Sequence, residues 1–282
     1  MKNYEPIMSF GDEAAEAYDD VQRFSKTPSR SEQAAAVAFL EKLAGGGPAL
    51  ELAIGTGWIA LPLAARGIRV DGIDISTAMV DQLRAKPGGE WISVTIGDFA
   101  DVPVPGTYRL IFVVANTLFN LLTQEEQVRC FDNVAAHLTD GGTFLIEAFR
   151  PDFLYRLRDH QYVDAEAVEV DEVRLDVARH DPVTQLLEES HVSLSREGAL
   201  EPDRHPVRMA VRARPHGTDR RAAPEGALGR LEPKSAHLHE QERRVRLRTL
   251  SWHIEVTVDA TDAYYSPECV EGVFCEVRCL GP

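Results

Sequence analysis

The chain has 282 residues, of which 44% are hydrophobic and 27% charged, with a formal net charge of −15. That length and apolar content suit a sizeable core and argue against overall disorder. The negative balance disfavours non-specific binding to nucleic acid or to anionic membranes, whose phosphates repel it.

The opening stretch, MKNYEPIMSFGDEAAEAYDD, is acidic and has no apolar centre, so it does not read as a signal peptide. A run of about 18 apolar residues is missing, which argues against a membrane span and for a cytoplasmic protein. Cys130, Cys269, Cys275 and Cys279 form no CxxC pair, and His237-Leu238-His239 has no third ligand at useful spacing. No metal site or disulfide framework is therefore expected.

Residues 11–24 read as a short acidic helix. Ser29 and Glu32 have the spacing of a capping box. They open a helix with Val37, Leu40 and Leu43 on one face, closed by Gly45-Gly46-Gly47-Pro48. Apolar runs and helical patterns then alternate. Strands are expected at 49–54, 70–75, 91–96, 110–115 and 143–148, with helices at 59–66, 78–85 and 124–138. Pro62 is tolerated only in the first turn of its helix. Lys86-Pro87-Gly88-Gly89 and Asp140-Gly141-Gly142 are the stops of the last two helices. Such alternation predicts an α/β fold: a Rossmann-like, doubly wound, mostly parallel sheet that binds ligands at the carboxyl ends of its strands.

The pattern changes after Pro151. Val168 and Val170, then Val173, Leu175 and Val177, then Val192 and Leu194 alternate with polar residues, which is the period of antiparallel strands with one wet face. Residues 209–249 change again: Lys and Arg outnumber acids and no period persists. The organisation expected is a helical cap over 1–44, a nucleotide-binding core over 45–150, an antiparallel β-layer over 151–208 beside the ligand edge, and an irregular tail over 209–282.

Three stretches carry the chemistry. In Glu51-Leu52-Ala53-Ile54-Gly55-Thr56-Gly57 the two glycines allow a tight turn into a helix whose free N–H groups favour a ligand. Gly55-Thr56-Gly57-Trp58-Ile59-Ala60 also fits the dinucleotide pattern G-x-G-x-x-A, so this turn alone does not choose between ligands. Asp74 ends the second strand, where a carboxylate can accept two hydrogen bonds from a ribose diol. After the third strand, Asp98 of Gly97-Asp98-Phe99 can accept a hydrogen bond from an adenine amino group, with Phe99 bordering the ring. A nicotinamide dehydrogenase shares the strand-end acid but needs neither Asp98 nor Phe99, and no second mononucleotide half with a catalytic His or Lys is evident.

With Gly72-Ile73-Asp74-Ile75-Ser76-x-x-Met79 added, the set resembles the class I S-adenosylmethionine-dependent methyltransferases, in particular small-molecule enzymes of actinobacterial type. Gly55-Thr56-Gly57-Trp58-Ile59-Ala60-Leu61-Pro62-Leu63-Ala64 and Asn116-Thr117-Leu118-Phe119-Asn120-Leu121-Leu122-Thr123-Gln124 are similar to stretches common there. The resemblance covers about residues 10–208. It implies S-adenosylmethionine as cofactor, with Glu51 near the methionine moiety, Ala53, Gly55 and Gly57 against it, and Asp74 on the ribose. Asp98 and Phe99 frame the adenine, Ile75, Met79, Gly97 and Ala115 are further cofactor-binding positions, and Tyr18 closes over the ligand. Ala53 stands where the family has its first loop glycine, which predicts crowding rather than loss of the site. Trp58 stands where Arg is common.

The expected reaction is in-line transfer of a methyl group to O or N of a small molecule. Asn116 is placed to orient the nucleophile, and Glu147, ending the fifth strand, is the second catalytic candidate. Arg150, His160, His180 and His191 are further residues near the acceptor. The alternatives are an NAD(P)-dependent oxidoreductase and a non-catalytic cofactor-binding homologue. Partners other than the small-molecule acceptor are not expected, neither nucleic acid nor membrane, and the oligomeric state stays open. The family's closing hairpin is not legible in the tail. With GC-rich codons chosen freely over 223–233, a one-base shift of reading frame can give text similar to it, so the expectation is a frame-shifted or disordered tail. Even so, 252–258 retains a strand pattern.

Overall fold

A computed structural model describes residues 18, 30–149, 154, 156–195, 198–199, 203–208, 243–248, 253–259 and 272–279. Helix α1 (Arg30–Ala44) buries Val37, Leu40 and Ala44, while Ser29, its expected cap, lies outside the described residues. Strand β1 (Ala49–Leu52) is buried throughout. It leads through the glycine turn into α2 (Ala60–Ala64), which admits Pro62 because that residue lies in the first turn. Strand β2 (Val70–Asp74) precedes α3 (Thr77–Ala85), whose cap, Ser76, accepts the Met79 amide. Strands β3 (Ser93–Ile96) and β4 (Tyr108–Val113) follow, then α4 (Gln124–His137) and β5 (Leu138–Phe149). Helix α4 starts in a reciprocal capping box between Thr123 and Glu126.

Strands β1 to β5 are mutually parallel, in the spatial order β5-β4-β1-β2-β3. The chain builds β1, β2, β3 in one direction and returns to add β4 and β5 in the other. The order therefore reverses between β1 and β4, which opens a crevice at their carboxyl ends. Both faces of this sheet are covered. Ile111, Val113, Phe144 and Ile146 join Val134 and Cys130 of α4 in one core. The alternate residues Leu110, Phe112 and Leu145 join Val37, Leu40, Leu63 and Leu83 from α1, α2 and α3 in the other. That is why these strands read as unbroken apolar runs.

Several boundaries differ from the sequence reading, and two of the differences have a clear physical cause. Trp91 is not in β3: Gly88 is left-handed, and Gly89–Trp91 form a short helical turn that leaves Trp91 83% exposed. Helix α4 ends at His137, before Asp140-Gly141-Gly142, because Leu138 already pairs with Tyr108 in β5. The glycines sit in the register shift between that pair and Leu110–Thr143.

The region after the parallel core forms a separate antiparallel sheet of β6 (Gln161–Val168), β7 (Glu172–Asp181), β8 (Leu186–Ser195) and β10 (Asp203–Arg208), with β9 (Gly198–Ala199) on β8. Leu154, Ala178 and Leu187 pack around Phe119, with Ala148 and Tyr162 alongside, and so seat this layer on the loop after β4. Three stretches of the tail are strands: β11 (Arg243–Arg248), β12 (His253–Asp259) and β13 (Gly272–Cys279). β12 lies where the 252–258 pattern placed a strand. β13 runs antiparallel to β5, pairing Phe274 with Glu147, and takes the sheet edge that an irregular tail leaves vacant. The other tail residues and the helix expected at 11–24, apart from Tyr18, lie outside the described residues.

Candidate active site at the carboxyl edge of the sheet

Four loops meet where β1, β2, β3 and β4 end. The first turns at Ala53, Gly55 and Gly57, all left-handed with φ of 56°, 55° and 80°. Gly55 also leaves space: a methyl added there meets only Met79 Cε, at 3.9 Å. Ala53 adopts a conformation that an alanine side chain opposes, so the missing family glycine appears here as backbone strain rather than closure of the loop. The loop is tied down from outside. Lys86 Nζ donates to the Thr56 carbonyl at 2.9 Å, and Gln33 Nε2 donates to the Trp58 carbonyl at 2.7 Å.

Asp74 organises the crevice. Its Oδ2 accepts the Gly55 amide at 2.7 Å and its Oδ1 accepts the Ser76 amide at 2.8 Å. Its carbonyl accepts the Gly97 amide at 2.9 Å, which links the ends of β2 and β3. Burial raises the Asp74 carboxyl above its ordinary range, and the amides of Ser76, Gly55 and Ile75 hold it back down. Two oxygens with about four lone-pair positions leave room for further donors.

Glu51, in β1, is 2% exposed. Its carboxyl is raised well above its ordinary range by burial first and the Asp74 charge second, with the Ala60 amide acting the other way. Glu51 Oε2 has no hydrogen-bond partner. A buried carboxylate oxygen in this state costs about 1–3 kcal/mol, which a ligand's positive group can offset.

The cofactor-binding residues expected after β2 and β3 follow two strands that pair side by side. Ile75 is 61% exposed directly after Asp74, an unusual position for a large apolar residue beside a crevice. Met79 is buried beneath Gly55. Asp98 Oδ1 accepts the Ala100 amide at 2.8 Å, its Oδ2 lies 3.7 Å from Arg129, and Phe99 packs partly into the core. One face of α4 grips this loop. Cys130 Sγ lies 3.8 Å from the Phe99 carbonyl, Asn133 Nδ2 donates to the Ala100 carbonyl at 2.9 Å, and His137 Nε2 meets the Val104 carbonyl at 3.0 Å. Burial, then the Asp98 charge, pushes the Cys130 thiol up to about 12.

On the acceptor side Ala115 and Asn116 are exposed. The Glu147 carboxylate accepts the Ala115 amide at 3.1 Å. His180 is buried, its ring held below its ordinary range by burial and then by His160, whose ring centre lies 6.4 Å away. Tyr18 is helical and half-buried. Arg150 and the His191 side chain lie outside the described residues. Sequence reasoning missed Lys86, Gln33, Arg129 and Asn133. Their contacts join positions 25 to 33 residues apart in the chain, and only the T-x-x-E cap at the start of α4 was visible locally.

These residues fit S-adenosylmethionine: an unpartnered buried carboxylate oxygen for a positive group, an uncluttered glycine for close approach, and an exposed apolar residue beside a carboxylate. Among the described residues no group of His, Cys, Asp and Glu could hold a metal, and no helix is long and apolar enough to cross a membrane.

A family profile described as a methyltransferase domain matches residues 49–142. The CcbJ methyltransferase from Streptomyces caelestis is 33% identical over 73% of this chain and 83% of its own, with a TM-score of 0.64. CalS10 from Micromonospora echinaspora, an amino pentose methyltransferase solved with S-adenosylmethionine bound, is 17% identical over 93% of this chain and 96% of its own, with a TM-score of 0.60. DesVI from Streptomyces venezuelae is 18% identical over 71% of this chain and 85% of its own, at 0.56. Comparison with curated proteins finds none that matches.

Proposed function

The chain belongs to the S-adenosylmethionine-dependent methyltransferases, and from that premise we propose that it methylates an O or N atom of a small molecule. S-adenosylmethionine, when bound, supplies a methyl group already activated on a sulfonium. The protein's part is then binding, alignment and exclusion of water, which in good intramolecular cases is worth about 7–11 kcal/mol.

Asp74 holds the ribose hydroxyls while it fixes the glycine turn. Glu51 offers its unpartnered oxygen to the positive methionine end, beside Ala53, Gly55 and Gly57. Gly97, Asp98, Phe99, Ile75 and Met79 form the adenine side, and Ala115 and Tyr18 border the opposite end. Asn116, exposed at the corner after β4, orients the nucleophile. Cytoplasmic placement belongs to the same reading, in keeping with the acidic composition.

The observation that carries this reading is the Glu51 oxygen, buried and unpartnered in the strand that leads into the Gly55 turn. A second observation favours N over O. In the antiparallel layer Tyr162 lies opposite Ala178, which lies opposite Glu189, and Asp164 lies opposite Asp176. Residues opposite one another share a face, and Ala178 packs against Phe119, three residues after Asn116. That face therefore sets Tyr162, the carboxylates of Asp164, Asp176 and Glu189, and the Arg174 guanidinium beside the acceptor edge, with the carboxylates in excess. Tyr162 donates to Glu189 Oε1 at 2.8 Å, and burial, then the Glu189 charge, raises its phenol. Such a face attracts a protonated amine more than a neutral hydroxyl or an acid. CalS10, with its amino pentose, is consistent with that choice.

The test is transfer from methyl-labelled S-adenosylmethionine to a panel of amino sugars, simple amines, sugars and phenols. Label in amines is the expected result. Label only in hydroxyl acceptors removes the preference for N, and label in none, with the cofactor bound, favours a non-catalytic homologue.

A further inference from the structure

The chain leaves β4 through two successive left-handed residues, Ala115 (φ 55°) and Asn116 (φ 61°). Neither is glycine, so the corner persists only if its surroundings hold it. One residue of β5 does so twice. Glu147 Oε2 accepts the Ala115 amide at 3.1 Å, and the Glu147 carbonyl accepts the Asn116 amide at 3.3 Å. The corner then passes at once into the short helical turn Thr117–Asn120, whose Leu118 and Phe119 are buried. Phe119 is the seat of the antiparallel layer. A displaced corner would move both Asn116 and the packing beneath the acceptor face.

We propose that Glu147 is a positioning residue: its carboxylate holds the left-handed Ala115-Asn116 corner and so sets the acceptor edge of the site. What Glu147 contributes is an oxygen acceptor at a fixed point, so an amide oxygen can replace it, whereas a proton acceptor for the reaction could not be replaced that way. Calling the corner an acceptor edge rests on the methyl-transfer reading; the mechanical role does not.

The experiment compares the full chain with Glu147→Gln, Glu147→Ala and Glu147→Ala/Ala115→Gly. It reads amide hydrogen exchange over residues 113–121 without ligand, and calorimetric titration with S-adenosylhomocysteine. Loss of a hydrogen bond to a charged group predicts that Glu147→Ala speeds exchange at the corner by about tenfold or more and weakens binding in the same direction. Glu147→Gln is expected to rescue most of both. Adding Ala115→Gly is expected to recover part of the binding, because glycine accepts the left-handed conformation unaided. The proposal is overturned if Glu147→Gln exchanges as fast as Glu147→Ala or fails to fold, or if Glu147→Ala leaves corner exchange unchanged. If the parent does not bind S-adenosylhomocysteine, the methyl-transfer reading fails, and the exchange data still decide the role of Glu147.

Discussion

The Asp74 carboxylate accepts the Gly55 amide at 2.7 Å, so the residue proposed for the ribose also clasps the turn proposed for the methionine end. Its other oxygen accepts the Ser76 amide at 2.8 Å, at the start of α3. Removing this side chain therefore disturbs two loops at once.

Asp74→Ala is expected to lose S-adenosylhomocysteine affinity by about 100-fold or more, since two charge-assisted hydrogen bonds and the proposed ribose contact go together. Asp74→Asn retains one acceptor oxygen and should fall between the parent and Asp74→Ala. Calorimetry on both variants, with thermal unfolding as the control for folding, checks the order. Equal affinity in a folded Asp74→Ala would remove the ribose assignment.

Ala53→Gly should stabilise the protein. Ala53 has φ of 56°, a conformation costing an L-residue about 1–2 kcal/mol, against a smaller entropic penalty for glycine in the unfolded chain. The net expectation is a gain of about 0.5–1 kcal/mol, or a rise of about 1–4 °C in Tm. Ala53→Val, with a β-branched side chain forced left-handed, should move Tm the other way.

Burial raises both Glu51 and Asp74, so the folded protein binds protons more readily than the unfolded chain. Stability from these groups is complete below their ordinary values of 4.5 and 3.8 and is lost as pH rises through the folded values. Unliganded Tm is therefore expected to decline above that range. Glu51→Gln should flatten the decline and raise Tm at neutral pH, while weakening S-adenosylhomocysteine. A Glu51→Gln protein with the parent's pH dependence would contradict the burial-driven shift.

Gly72→Ala should be severe. An added Cβ would lie 2.4 Å from Ile54 Cδ1 and 2.9 Å from both Ile54 Cβ and Cγ2, at the residue between Ala53 and Gly55. Overpacking of this kind typically costs about 1–3 kcal/mol. Ile54→Val removes only the nearest contact, so the double variant is expected to recover part of the loss and no more. A double-mutant cycle by denaturant unfolding measures that coupling.

The parallel core was legible because 110–113 and 144–146 alternate between two buried faces, and both read as strands whichever face is considered. The places of Gly55, Asp74 and Asp98 at or just past strand ends were legible because they follow from local apolar runs and turn residues. Other features depend on distant partners. Pro87-Gly88-Gly89 announces a turn but not that the turn runs on through Trp91 and takes it out of β3, and Asp140-Gly141-Gly142 looks like a helix stop until the Leu138–Tyr108 pairing is known. The contact between Glu147 and Ala115 spans 32 residues, and the grip of Asn133 on Ala100 spans 33. The tail strand β13 is fixed by its ladder with β5, a partner far away in the chain that the local text does not name.

The most direct test of the central claim is parallel calorimetric titration of the full chain with S-adenosylhomocysteine and with NADH. Saturable one-to-one binding of S-adenosylhomocysteine, abolished or greatly weakened in Asp74→Ala and absent for NADH, is the expected result. Binding of NADH with none of S-adenosylhomocysteine would contradict the assignment of the Glu51, Gly55 and Asp74 crevice to a methyl donor.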